Sequence, residues 1–110
     1  MKRSMDPLQV IGTKELDVDE QEIISRVANR HYAKIQRLLK DLSSVQVHVK
    51  THSKGGKKRY EIKVRAMTPA HVFESSMEDW DLAKCLHVAC EELQHEIMHK
   101  LAPKKKTYRK

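Results

Sequence analysis

The chain has 110 residues, a net charge of +7, 34% charged and 39% apolar residues. That length holds one domain with one core, and no apolar run approaches the ~20 residues of a membrane-spanning helix. Residues 1–5 are basic but lead into no apolar signal segment, so a cytoplasmic protein is expected.

Residues 1–7 are expected to be disordered, 8–102 to form a single domain and 103–110 to be a flexible basic tail. Residues 8–18 read as a first strand, with Leu8 and Val10 on one face and Gly12 at a bend or bulge. Asp19 and Glu22 have the spacing of an N-cap and its third helical position, which starts a helix. The helix runs from Glu20 to about Asp41, with Ile24, Val27, Ala28, Ile35, Leu38, Leu39 and Leu42 on its apolar face. Arg26, Arg30, Lys34 and Arg37 recur at four, four and three residues and so form one cationic stripe. The stripe suits either a plain solvated face or a surface for a polyanion.

After a break at Ser43 and Ser44, residues 45–66 carry the strongest pattern in the chain. Val45, Val47 and Val49 alternate with polar residues, as do Tyr60, Ile62, Val64 and Ala66, and Gly55 and Gly56 lie between the runs. Period-two alternation broken by glycines predicts an antiparallel hairpin with one buried face. Lys54, Lys57, Lys58 and Arg59 fall at its tip. Thr68, Pro69 and Ala70 end the second of these strands, and 71–77 read as a fourth. Phe73, Ser75 and Met77 are placed inward there, with Val72 competing. Glu78-Asp79-Trp80-Asp81 opens a second helix, with Asp79 as its cap. Capping explains these carboxylates more simply than catalysis does. Leu82, Cys85, Leu86, Ala89, Leu93, Ile97 and Leu101 form its buried stripe, and Pro103 stops it. Trp80 is expected to pack against the sheet edge, with base stacking the less favoured alternative. The order is βαβββα, an α+β fold with two helices on one face of a four-stranded sheet.

Cys85 and Cys90 are five residues apart, about 140° around a helix, which forbids a mutual disulfide. They read as reduced thiols, partly buried. His95-Glu96-Ile97-Met98-His99 matches H-E-x-x-H, which in zinc hydrolases supplies two imidazoles and a base. Here His95 and His99 fall about 200° and 240° from Leu93, the centre of the buried stripe, so both point away from any cleft. No metal, cofactor or small-molecule substrate is expected.

Positive charge is clustered. Without the five cations of 103–110, the chain has 17 basic against 15 acidic residues. The helix stripe, the hairpin tip and the tail residues Lys104, Lys105 and Lys106 make three separate basic elements. Together they suit phosphate contacts, which position a protein on RNA without reading its bases.

The element order and several runs resemble the ribosome hibernation-promoting factor family, also called ribosome-associated inhibitors. The strand bearing Gly12, the run Leu16-Asp17-Val18-Asp19-Glu20, the run from Tyr32 to Leu38 and the run from Glu78 to Ala83 carry the resemblance. It covers about residues 8–101. It implies a βαβββα fold and binding to the small ribosomal subunit and its rRNA at the decoding region, where family members exclude tRNA and mRNA. It implies rRNA contacts for Arg26, Arg30, Lys34, Arg37 and Lys100. Glu91, Glu92, His95 and His99 depart from the more basic second helix of that family. The family's long form has an added dimerisation domain; residues 103–110 are a basic tail instead, so ribosome pairing through such a domain is not expected. Three functions therefore stand: a ribosome-binding inhibitor, a general structured-RNA binder or assembly factor, and a small zinc hydrolase using His95, Glu96 and His99.

Overall fold

The computed structural model describes residues 7–101. Its elements are β1 (Leu8–Ile11), α1 (Val18–Leu38), β2 (Ser44–Lys54), β3 (Lys57–Met67), β4 (Val72–Asp79) and α2 (Leu82–Leu101). The strands form one sheet in the order β1-β2-β3-β4. β1 pairs parallel with β2, and the other two pairings are antiparallel. A parallel pair needs a crossover connection, and α1 supplies it. This is the α+β fold expected from the sequence, with a mixed sheet.

The hairpin alternation becomes the core. Val45, Val47 and Val49 of β2 and Tyr60, Ile62, Val64 and Ala66 of β3 are all buried on the helix side of the sheet. Lys54 pairs with Lys57, leaving Gly55 and Gly56 as a two-residue turn with φ of 60° and 81°. Two successive positive φ angles match the strand twist, and glycine adopts them without steric cost. On β4, Phe73 is buried while Ser75 and Met77 are half-buried, and Val72 faces solvent. The Ser75 hydroxyl donates to the Ala89 carbonyl at 2.6 Å.

β1 is shorter than the 8–18 expected. It stops at Ile11 because Gly12 turns the chain away at φ +89°, where an added Cβ would lie 2.1 Å from the Val49 carbonyl oxygen. Only glycine lets the chain pass β2 that closely. The α1 cap also differs from expectation: it is Asp17, not Asp19. The Asp17 side chain accepts from the Glu20 N–H at 2.8 Å, and Glu20 accepts from the Asp17 N–H at 2.9 Å. That reciprocal pair satisfies two otherwise orphaned donors. The helix ends at Leu38 rather than near Asp41, and Leu39 leaves it in extended geometry.

The junction between β4 and α2 differs too. Glu78 and Asp79 belong to the strand, paired with Glu61 and Tyr60. The cap is Asp81, whose Oδ1 accepts from the Lys84 N–H at 3.0 Å and whose carbonyl accepts from the Cys85 N–H. Asp79 Oδ1 instead receives the Asp81 N–H at 2.9 Å. Trp80 is left 61% exposed between the two elements rather than packed on the sheet. Leu101 is 48% exposed, so the buried stripe of α2 ends at Ile97 and includes Cys90. Both cysteines are free and buried. Burial pushes their thiols up, to about 11 for Cys85 and about 12 for Cys90.

Candidate nucleic-acid interface

The basic residues singled out from the sequence fall into two groups once their partners are known. Arg26, Arg30, Lys34 and Arg37 on α1, Lys54 and Lys57 at the hairpin tip and Lys100 on α2 are exposed. Among the described residues, none of these seven makes an ion pair. Lys58 and Arg59 are different. Lys58 Nζ lies 3.0 Å from Glu20 Oε1, and Arg59 Nη1 lies 3.0 Å from Glu78 Oε1. A cation already neutralised locally has less field left for a phosphate, so these two are structural first. Lys104, Lys105 and Lys106 lie outside the described residues.

The Lys58 pair also positions the site. It ties the hairpin to the first turn of α1, where Glu20 additionally receives the Tyr60 hydroxyl. Burial works against the Glu20 carboxylate. Hydrogen bonds from Tyr60, the Asp17 backbone and Lys58, with the Lys58 charge, outweigh it and hold its pKa below the usual carboxylate range. Tyr60 responds oppositely: burial and its bond to Glu20 raise it to about 12. Lys58 therefore sits at the N-terminal end of α1, and the stripe runs along the helix away from it. At about 1.5 Å per residue, Arg26 to Arg37 spans about 16 Å.

The stripe lies beside the buried face rather than opposite it. At about 100° per residue its centre is about 120° from the centre of the face formed by Ile24, Val27, Ala28, His31 and Ile35. Ser25 and Asn29, on the far flank, line a hollow against Leu8 and Val10 of β1. Arg30 and Lys34 lie on the other flank, close enough to act electrostatically on His31 at the seam with α2.

His31 was not anticipated as a core residue, yet it is 1% exposed. It occupies the place in the i, i+3, i+4 pattern between Ala28 and Ile35, and that spacing is the only signal the sequence offers. Gln94 Nε2 donates to His31 Nδ1 at 2.7 Å. His31 Nε2 then carries the proton and donates to His87 Nδ1 at 2.8 Å. His87 Nε2 in turn faces Glu91 Oε2 at 3.1 Å. One tautomer assignment satisfies the whole chain with both rings neutral. Burial first, then the His87, Lys34 and Arg30 charges, lowers the pKa of His31 to about 4, against a raising effect of Glu91.

The outer face of α2 carries exposed Glu91, Glu92, His95, Glu96 and His99. His95 and His99 flank the buried Ile97 and point outward. Among the described residues, no three His, Cys, Asp or Glu side chains are grouped so as to hold a metal. The open side of the sheet is laced by pairs: Arg65 with Glu74 at 2.6 Å and His52 with Glu61 at 3.1 Å. These partners hold Glu74 and Glu61 below the usual carboxylate range. Among the described residues, α1 thus carries a row of four exposed cations without an ion-pair partner, and Lys50 and Lys63 on the open side of the sheet are likewise exposed and without one.

The architecture defines a small two-layer α+β domain with a cationic helix. Solved structures share that fold, among them the following two. The first is the N-terminal domain of Thermus thermophilus Protein Y, matched with a TM-score of 0.54 and 18% identity over 88% of this chain and 99% of that one. The second is a ribosomal subunit interface protein from Coxiella burnetii, with a TM-score of 0.57 and 11% identity over 87% of this chain and 97% of that one. At these identities the likeness is one of fold. No protein-family model and no curated protein sequence matches the chain. No helix among the described residues is long and apolar enough to cross a membrane.

Proposed function

We propose that this is a ribosome-binding translation inhibitor or hibernation factor of the cytoplasm, a binding protein rather than an enzyme. It engages the small subunit near the decoding region through rRNA phosphates. The carrying observation is the row of exposed, unpaired cations Arg26, Arg30, Lys34 and Arg37 on one rigid helix. Such a row matches the regularly spaced charge of an RNA backbone, which an A-form helix presents by shape rather than sequence. The fold shared with a ribosomal subunit interface protein supports the choice of RNA. The hairpin tip, through Lys54 and Lys57, extends the surface at one end of α1, and Lys100 adds a single charge from α2.

The test is co-sedimentation of the purified protein with 30S and 50S subunits through sucrose gradients at several salt concentrations. Stoichiometric association with the small subunit, weakening steeply as salt rises, is the expected result. Equal binding to both subunits and to unrelated structured RNA would replace it with a general RNA-binding role.

A further inference from the structure

The cationic row of α1 accounts for phosphate contacts but leaves one feature of the surface unused. Trp80 is the sole tryptophan of the chain. It is 61% exposed, although nothing in its backbone position requires a large apolar side chain. Its stem is firmly held. Asp79 before it is paired with Tyr60 in the sheet, and Asp81 after it caps α2. The Asp81 N–H binds back onto Asp79 Oδ1 across it. The indole is thus presented to solvent from a fixed two-element junction.

Across from it stand Lys57 and Lys58 of the hairpin, and the three residues line one shallow hollow. Lys57 is exposed, and among the described residues it makes no ion pair. The carboxylates in this neighbourhood are all engaged. Glu20 holds Lys58 and Tyr60, Glu78 holds Arg59, and Asp79 and Asp81 accept backbone N–H groups. A flat aromatic face beside an available ammonium group suits a ligand that is planar on one side and anionic on the other. An unpaired nucleotide has both parts: a base that stacks on an aromatic ring and a phosphate for the cation. A base inside a duplex is already stacked and offers no free face.

We propose that Trp80 and Lys57 form a stacking site for an unpaired nucleobase and its adjoining phosphate. This deepens the RNA-binding function proposed above and rests on it. Phosphate contacts along α1 set the protein's position, and Trp80 selects for a single-stranded nucleotide at the hairpin end of the molecule.

Because Trp80 is the sole tryptophan, its intrinsic fluorescence reports on the site alone. The full-length protein is titrated with a single-stranded oligoadenylate and with a blunt RNA duplex of the same length, and ribosomal subunits are sedimented in parallel. Saturable quenching by the single strand, and much weaker quenching by the duplex, is expected. Measured by fluorescence anisotropy of labelled oligonucleotide, Trp80→Ala should weaken single-strand binding roughly 5- to 150-fold, the range base–aromatic stacking implies. Trp80→Phe should recover much of that loss, and Lys57→Glu should weaken binding in a salt-dependent way. Circular dichroism of each variant checks folding.

Unchanged emission on adding oligonucleotide, with the wild-type protein still sedimenting with subunits, overturns the stacking site and spares the ribosomal function. Quenching without subunit association does the reverse. If Trp80→Ala keeps its oligonucleotide affinity but loses subunit association, the indole contacts a ribosomal protein and the base-stacking proposal is wrong.

Discussion

The two helices lie side by side on one face of the sheet, yet they bury different chemistry. α2 buries Leu82, Cys85, Leu86, Ala89, Cys90, Leu93 and Ile97, and its interior face has no ionisable group except two neutral thiols. It lies close to β3 and β4. α1 packs chiefly along α2, and its buried face includes a histidine among Ile24, Val27, Ala28 and Ile35. Ile24, Val27, Ala28 and Ile35 join the same core as α2, and polar links add to them: the Lys58 and Tyr60 contacts to Glu20 and the His31–His87 seam. One helix holds the domain together. The other joins the same core along a narrower face and carries its cations outward. This division lets the charged surface change with little cost to the fold.

If that contrast is right, the largest stability effect comes from α2. Ile97→Ala, at a side chain with no solvent exposure, should cost about 2–5 kcal/mol in urea unfolding. A loss below about 1 kcal/mol would mean that α2 is not the anchor.

Acid should find the seam next. A histidine whose native pKa is about 4, against about 6.5 unfolded, binds its proton preferentially in the unfolded chain. The resulting stability is present above pH 6.5 and is lost as pH falls toward 4. Protonation also puts an N–H on His31 Nδ1, where the Gln94 N–H now donates, so that bond must break and the amide turn over. The loss between pH 7 and pH 4 should be on the order of 2–3 kcal/mol. Denaturant unfolding at a series of pH values checks it, and His31→Gln should flatten the dependence across that window.

Smaller again, Asp17→Ala should cost about 1 kcal/mol, the usual worth of an N-cap, whereas Asp19→Ala should cost much less. Thermal melts of the two variants compare the caps directly.

These expectations also mark where sequence alone was informative. The hairpin was legible because alternation and a Gly-Gly turn are local signals, and the helices because spacing betrays a buried face. The α1 cap was not, because the D-x-x-E spacing occurs twice, at Asp17/Glu20 and at Asp19/Glu22. Contacts distant in sequence choose the first: Leu16 is buried, and Glu20 must meet Lys58 and Tyr60. The acidic run before α2 misled for the same reason. Glu78 has its partner in Arg59, a residue of the neighbouring strand. His31 was missed because a polar residue in an apolar pattern reads as an interruption, and its partners His87 and Gln94 are more than fifty residues away. Spacing located the α1 cations but could not say that Lys58 and Arg59 are already paired.

The central proposal, that α1 is the RNA face, is met most directly by the double charge reversal Arg30→Glu, Lys34→Glu. Both side chains are exposed, so stability should shift by about 0.5 kcal/mol or less. The measurement is sedimentation of wild type and variant with small subunits at the same salt concentration. Loss of the variant from the subunit fraction, with its unfolding curve unchanged, is the predicted result. Undiminished association would contradict it and move the interface to the open side of the sheet, around Lys50, Lys63 and Arg65.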